Sequence, residues 1–303
     1  MGHEEYRSPS DAAELRSPRC AVCGSSATIT DTVHSSFSGR DFELAHCPRC
    51  RYSFVVNPRT DFGALYDEEY YRGRGADPTV DYERELRDPR TVRRYEWQAI
   101  VEIVRHLRGP LDGLRWLDFG CGLGGFVRYG RERGLNISGF DEGYAAERMH
   151  HESIPALSPA ELDAAAGSFD VVTAIEVLEH LIDPMAALRR FAALLRPGGL
   201  LFLTTGNAEP FRGRLARWSY VQPDIHVGFF EPSTLATALR GVGLQPTFAG
   251  YVPGFDSLLR YKILKNLRQK QRHAVERIVP WPLVARAVNR RYRVSAQPIA
   301  WKR

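Results

Sequence analysis

The chain has 303 residues, 44% of them hydrophobic, and a formal net charge of +5 at pH 7. That length suits one large domain, or a domain with a small module, and the apolar content can fill a core. The sequence has no uncharged apolar run of 18 residues, which excludes a spanning helix, and Glu4 and Glu5 stand where a signal peptide needs basic then apolar residues; a cytoplasmic protein is expected. Residues 1–18 are polar and aperiodic and are expected to be disordered. Cys20-x-x-Cys23 and Cys47-x-x-Cys50 then supply four thiolates, the donor set of tetrahedral Zn²⁺. Short strands at 27–30 and 42–45 would make residues 19–56 a zinc-ribbon module, closed and structural; His34 and His46 are spare donors, and a pair of disulfides is the alternative. After the Asn57-Pro58 break, helices at 66–71 and 89–107 make residues 57–110 a helical cap. Residues 111–303 carry strands near Trp116, Ile137, Ile154, Val171, Leu201, Leu244 and Ile299 with helices between them, the succession of a seven-stranded, largely parallel α/β sheet.

The first strand of that sheet ends in Asp118-Phe119-Gly120-Cys121-Gly122-Leu123-Gly124, and the second ends in Asp141. Strand, glycine turn, helix, strand and acid form the layout of a nucleotide site: backbone approaches the ligand at the glycines, and the second acid accepts ribose hydroxyls. Gly120, Gly122 and Gly125 also satisfy G-x-G-x-x-G, so the glycines alone leave a dinucleotide dehydrogenase open. Asp118 favours another cofactor, because a carboxylate there repels a pyrophosphate and suits an ammonium. Downstream come Phe169-Asp170-Val171-Val172-Thr173-Ala174-Ile175-Glu176-Val177-Leu178-Glu179-His180 and Leu195-Arg196-Pro197-Gly198-Gly199-Leu200-Leu201-Phe202-Leu203.

From about residue 114 to 203 the chain resembles class I S-adenosylmethionine-dependent methyltransferases in motif content, order and spacing. The resemblance implies a Rossmann-like sheet whose last strand, near 295–301, runs antiparallel. It also implies that Gly120, Gly122 and Gly124 line the methionine portion of the cofactor, with Asp118 at its amino group, Asp141 at its ribose and Glu176 nearby. It assigns no adenine contact, although Leu162 and Asp163 lie in the relevant stretch. In the ribbon-bearing subgroup a tyrosine-rich segment closes over the pocket, which makes Tyr70 and Tyr71 candidate cofactor or acceptor contacts; an ordinary amphipathic helix packing its tyrosines is the alternative.

The chemistry is expected in Glu176-Val177-Leu178-Glu179-His180. If Glu176 opens a helical turn, Glu179 and His180 share its face. Transfer to a hydroxyl needs alignment and a way to remove a proton, and His180 would be a base whose pKa is held up by nearby carboxylates. Glu-x-x-Glu-His with a later histidine, here His226, also resembles the metal centre of small-RNA 3′-end 2′-O-methyltransferases and ubiquinone-pathway O-methyltransferases. That resemblance implies Mg²⁺, Mn²⁺ or Zn²⁺ on Glu176, Glu179, His180 and His226; His226 is otherwise a general base or caps the helix near Pro232.

From Phe255 onward 13 Lys and Arg face two acids, on a body that is net acidic. Residues 252–294 read as a basic helical insertion before the last strand, with Leu259, Ile263, Leu264 and Leu267 as one apolar stripe and a second helix from Pro282. Peripheral membrane contact through 255–294 near a lipid-linked glycan, an anionic acceptor, RNA, or a lid with solvated charges are the readings that composition allows. The resulting expectation is O-methylation of a small-molecule or sugar hydroxyl in secondary-metabolite or polysaccharide tailoring. The alternatives are RNA 2′-O-methylation and C- or N-methylation of a nucleotide-linked sugar; from Cys20 to residue 56 the only Lys or Arg are Arg40, Arg49 and Arg51, which counts against RNA.

Overall fold

The computed structural model describes residues 17–302, apart from 79, 250–251, 274–275, 277 and 293–296. The segment expected to be disordered lies, except for residues 17 and 18, outside the described residues. Strands β1 (Thr28–His34), β2 (Asp41–His46) and β3 (Ser53–Val55) form an antiparallel meander between and after the cysteine pairs. Helices α1 (Phe62–Leu65), α2 (Glu68–Tyr71), α3 (Tyr82–Arg87) and α4 (Arg93–Arg108) follow.

Two of these helices start later than their periodicity suggests. The Asp67 side chain caps α2 by accepting from Tyr70 N at 3.0 Å, so the helix opens at Glu68 rather than at 66. Before α4, Thr91 bridges to Gln271 and Val92 N donates to the Lys270 carbonyl, which ties down the chain up to the N-cap Val92. Once formed, α4 lays Ala99, Ile100, Ile103 and Val104, all fully buried, against the main sheet.

The main sheet begins with β4 (Arg115–Phe119), α5 (Gly125–Arg131), β5 (Asn136–Phe140), α6 (Gly143–His151), α7 (Pro159–Ala164) and β6 (Phe169–Ile175). It continues through α8 (Pro184–Leu194), β7 (Leu195–Thr204), the two-residue β8 (Gly228–Phe229), α9 (Pro232–Gly241) and β9 (Leu244–Ala249). Helices α10 (Phe255–Asn266) and α11 (Trp281–Tyr292) precede the last strand, β10 (Gln297–Lys302). The order is β5-β4-β6-β7-β10-β9, parallel across β5, β4, β6 and β7, with β10 antiparallel to both neighbours. The sheet is covered on both faces, and β6 is accordingly apolar almost throughout, with six of its seven residues buried.

Among the described residues the sheet has six strands, not seven. Where a strand was expected near Ile154, a single parallel bridge joins Ala156 to Gly139. Ser153 at φ 54° turns the chain into this run, Pro155 removes a donor, and Ser158 caps α7 in a reciprocal box with Glu161. Only a few residues remain to be extended.

The small sheet is also not self-contained. Strand β8, from far along the chain, pairs with β3 to give the order β1-β2-β3-β8, with Ser53 opposite Phe229 and Phe54 opposite Gly228. Among the described residues no helix is long and apolar enough to cross a membrane.

Candidate active site

The C-terminal ends of β4, β5 and β6 open into one cleft of about 1740 Å³. Asp118, Gly120, Gly122, Asp141, Tyr70, Tyr71, Glu176, His180 and His226 all line it; Gly124 and Glu179 do not. Gly120, at φ 67°, lets the turn pass so close to Val177 that a Cβ there would lie 2.6 Å from its Cγ2. Gly124, at φ 75°, faces the core instead, where a Cβ would lie 2.8 Å from Ile154 Cγ2. A side chain there would press on Ile154 and Met149, and Gly124 is not part of the cleft wall.

Asp118 is buried and accepts from Thr173 Oγ1 at 2.6 Å, while Trp116 Nε1 donates to the same hydroxyl at 3.2 Å. Burial pushes its carboxyl up to about 7. Asp141 accepts from Gly122 N at 2.6 Å and Glu142 N at 2.8 Å, and burial raises it to about 6 against those bonds. Two costly carboxylates flank a glycine turn, and a ligand bearing an ammonium and hydroxyls would relieve both. Tyr71 Cε1 lies 3.8 Å from where a Gly122 side chain would begin, and Tyr71 stacks on Tyr144 with ring centroids 5.6 Å apart. Of the adenine-contact stretch, Leu162 is buried in the core and Asp163 pairs with Arg190, so neither belongs to the cleft wall.

At the end of β6 the expected helical turn does not start at Glu176. That residue has φ 53°, with its N–H donating to Thr204 at 3.0 Å, and a single 3₁₀ turn covers Leu178–His180. The left-handed residue separates the two acids: Glu179 is fully buried behind the imidazoles, and Glu176 faces the cleft. Tyr220 Oη reaches both, donating to Glu176 Oε2 at 3.0 Å and closing a short contact to Glu179. Burial disfavours ionisation of Glu176, but Lys262, 3.8 Å away, and Lys265 hold its pKa low. Burial and then the Glu176 charge push Glu179 up.

Glu179, His180 and His226 bring one ligand atom each to within 4.8 Å of one another, and Glu179 Oε2 is buried without a hydrogen-bond partner among the described residues. A carboxylate oxygen left open beside two imidazole nitrogens fits a divalent ion. Glu176, expected as a fourth ligand, is outside that grouping and is engaged by Tyr220 and Lys262. The histidines differ from expectation too: burial lowers both to about 4, outweighing the carboxylates expected to hold His180 up. His226 does not cap α9, whose N-cap is Glu231; its Nδ1 lies 2.7 Å from the Tyr220 carbonyl. His180 Nδ1 lies 3.0 Å from Tyr66 Oη. Tyr66, Tyr220 and Lys262 are site residues that sequence reasoning did not assign; Tyr66 stood at the start of the helix expected at 66–71 and Lys262 in the basic insertion, while Tyr220 had no local signal.

Cys20, Cys23, Cys47 and Cys50 converge within 4.8 Å as free thiols, with Sγ–Sγ separations of 3.4 Å (Cys20–Cys50) and 3.5 Å (Cys23–Cys47). The hydrogen bond from Cys50 lowers Cys20 to about 5, toward the thiolate that a soft metal needs. This donor set fits tetrahedral zinc. His34 pairs with Asp41 and His46 with Ser53, so neither joins the cluster. The cluster is tied to the cleft: the Cys50 carbonyl accepts from Thr234, and Val55 N donates to the Val227 carbonyl at 2.9 Å. Val227 N in turn donates to the Glu179 carbonyl at 2.7 Å.

The basic insertion folds as a lid. Helix α10 buries Phe255, Leu258, Leu259, Tyr261 and Leu264, whereas Leu267, expected in its apolar stripe, is 64% exposed. Helix α11 starts one residue before the expected Pro282.

The family described as methyltransferase domain matches residues 90–247. The ubiquinone biosynthesis O-methyltransferase of Bordetella avium (strain 197N) is 32% identical over 167 residues, covering 48% of this chain and 68% of the relative. That of Pseudomonas aeruginosa (strain UCBPP-PA14) is 39% identical over 156 residues, covering 46% and 67%. Among solved structures, phosphoethanolamine N-methyltransferase 2 of Haemonchus contortus aligns with a TM-score of 0.49 at 17% identity, over 82% of this chain and 63% of that one.

Proposed function

The chain belongs to the methyltransferase domain family and is an S-adenosylmethionine-dependent methyltransferase, and from that premise we propose that it methylates a hydroxyl oxygen of a small-molecule or sugar acceptor, in secondary-metabolite or polysaccharide tailoring. The observation that carries the hydroxyl reading is the convergence of Glu179, His180 and His226 around an unpartnered carboxylate oxygen. An amine gives up its proton far more readily than an alkyl hydroxyl, so the hydroxyl has the greater need of such a device. The named relatives are O-methyltransferases, which agrees with this reading.

The donor supplies a methyl carbon on a cationic sulfur. The acceptor oxygen forms its bond to that carbon as the carbon–sulfur bond breaks, the electron pair stays on sulfur, and the hydroxyl proton leaves to a base. Asp118 and Asp141 hold the donor by its ammonium and ribose, and Tyr66, Tyr70 and Tyr71 wall the cleft from water. A divalent ion on Glu179, His180 and His226 would supply Lewis acidity that weakens the acceptor's O–H bond. Zinc on the four cysteines would have no open position and a structural part only; their free thiols suit a reducing cytoplasm.

A second reading has its own support. A carbonyl only accepts, so His226 Nδ1 carries the proton toward Tyr220, and its Nε2 keeps a lone pair free for a proton from the acceptor. Metal analysis and turnover separate the two readings, scoring methyl transfer from labelled donor into small molecules of a cell extract. The metal reading expects chelation, Glu179→Ala and His180→Ala each to remove the second bound ion and to lower transfer by about 100-fold or more, with S-adenosylhomocysteine affinity unchanged. Full turnover after chelation, with loss only in His226→Ala, would leave the base reading standing alone.

A further inference from the structure

One wall of the cleft is unlike the rest. Lys262, Lys265 and Asn266 lie at i, i+3 and i+4 on the face of α10 that is not packed into the core, and Arg268, Gln269 and Lys270 continue that wall beyond the helix end. Lys262 reaches within 3.8 Å of Glu176, which places the strip beside the reacting end of the cleft. Several of the acids that share the cleft are already engaged. Glu85 and Glu96 hold Arg93, Asp88 accepts from Gln271 and from Arg90 N, and Asp81 and Asp183 cap α3 and α8. Lys265, Arg268 and Lys270 form no ion pair among the described residues; Lys265 acts on Glu176 from a distance, and the strip carries more positive charge than that one carboxylate offsets. The cleft's volume of about 1740 Å³ exceeds the roughly 300–1,000 Å³ of a single small-ligand site, which leaves room for a second molecule beside the donor.

We propose that this strip binds a phosphate or diphosphate group of the acceptor and thereby presents the acceptor's hydroxyl to Glu179, His180 and His226. The proposal rests on the methyl-transfer reading for the presence of an acceptor, and extends it by naming the anionic handle. Arg268 offers a planar fork and the lysines mobile point charges, a combination that suits clustered phosphate oxygens. Lys262 and Lys265 also stabilise the ionised Glu176 beside them, and the remaining positive charge is left for the anion. A diphosphate can come from a soluble nucleotide-linked sugar or from a lipid-linked one, and the chemistry of recognition is common to both.

The test is calorimetric titration of the full chain, saturated with S-adenosylhomocysteine, with inorganic pyrophosphate at low ionic strength. Pyrophosphate should bind, the affinity should fall as salt rises, and the double variant Lys265→Gln, Arg268→Gln should weaken it by about tenfold or more. Both positions are exposed, and the variant should bind S-adenosylhomocysteine as the parent does. Sedimentation with phosphatidylcholine vesicles, with and without phosphatidic acid, assigns the source: co-sedimentation that needs the acidic lipid and both cations marks a lipid headgroup, and pyrophosphate binding without it marks a soluble ligand. No heat from pyrophosphate, or equal affinity in the double variant, overturns the proposal while leaving methyl transfer intact. Displacement of pyrophosphate by single-stranded RNA with affinity growing along its length also overturns it, in favour of a nucleic-acid acceptor. Failure of the parent protein to bind S-adenosylhomocysteine would remove the methyl-transfer reading and this proposal together.

Discussion

Asp118 is the residue on which the proposed donor recognition turns. Its carboxyl is buried and raised to about 7, so between its ordinary value near ~4 and that point the folded protein holds a proton that the unfolded chain has released. Stability of the ligand-free protein from this group therefore falls as pH climbs through that window. A cationic ammonium demands the ionised form, so binding below about 7 must expel the proton. Affinity for S-adenosylhomocysteine should rise between about pH 5.5 and 7, with proton release visible as calorimetric heats that depend on the buffer's ionisation enthalpy. Asp118→Asn should weaken binding by about 10- to 100-fold and flatten that pH dependence. Equal affinity in the variant, or a flat profile in the parent, would remove Asp118 from the ammonium site. The carboxylates at the other end divide differently: Glu176 is open to the cleft with lysines beside it, and Glu179 is sealed behind imidazoles.

Among the elements, the cysteine module acts as a brace. A segment this small cannot fold on its own apolar content; it carries a four-cysteine cluster that could hold a metal, and it gains a fourth strand from the catalytic domain. Val227 is the joint: its carbonyl bonds to Val55 in the ribbon and its N–H to the backbone of Glu179, one residue after His226. Gly228 leaves no room for a side chain, since a Cβ there would lie 2.5 Å from Tyr52 Oη. Cys50→Ser should lose one equivalent of zinc and speed hydrogen exchange at the Val227 amide, while S-adenosylhomocysteine still binds at the ends of β4 and β5. Unchanged protection at Val227 in the zinc-free variant would show that the ribbon and the acceptor end are independent.

At the scale of the whole molecule, a cap made before the sheet and a lid inserted before its last strand meet over one cleft. Arg93 joins them. From the start of α4 it reaches Glu85 in the cap at 3.1 Å and Glu96 at 2.8 Å, and its NH1 donates to Tyr261 Oη in the lid at 2.6 Å. Removing one member of a buried ion cluster leaves the others unpaired, so Arg93→Ala should cost about 3–5 kcal/mol. It should lower the melting temperature and loosen α10 as read by proteolysis near residue 268. A melting curve like the parent's would show that cap and lid do not depend on this contact.

Much of this was legible in the chain because the signals are local. The glycine turn with its flanking Asp118 and Asp141, the paired C-x-x-C knuckles and the alternation of strand and helix depend on neighbours a few residues apart, where steric and hydrogen-bond rules act directly on the sequence. The family resemblance added the antiparallel last strand, whereas the order of the strands, six of them among the described residues, came from the tertiary structure. Packing over long separations settled the remainder. A proline and a capping box cut the strand near Ile154 to one bridge, and a left-handed Glu176 undid the expected helical turn. Desolvation, which no spacing encodes, drove His180 and His226 down when nearby carboxylates suggested the reverse. Tyr220 between two acids, Lys262 beside Glu176 and β8 paired with the ribbon all join parts of the chain that meet only when the core closes. Which polar groups then lie next to one another inside it is set by the shape of the closed core and the water it excludes.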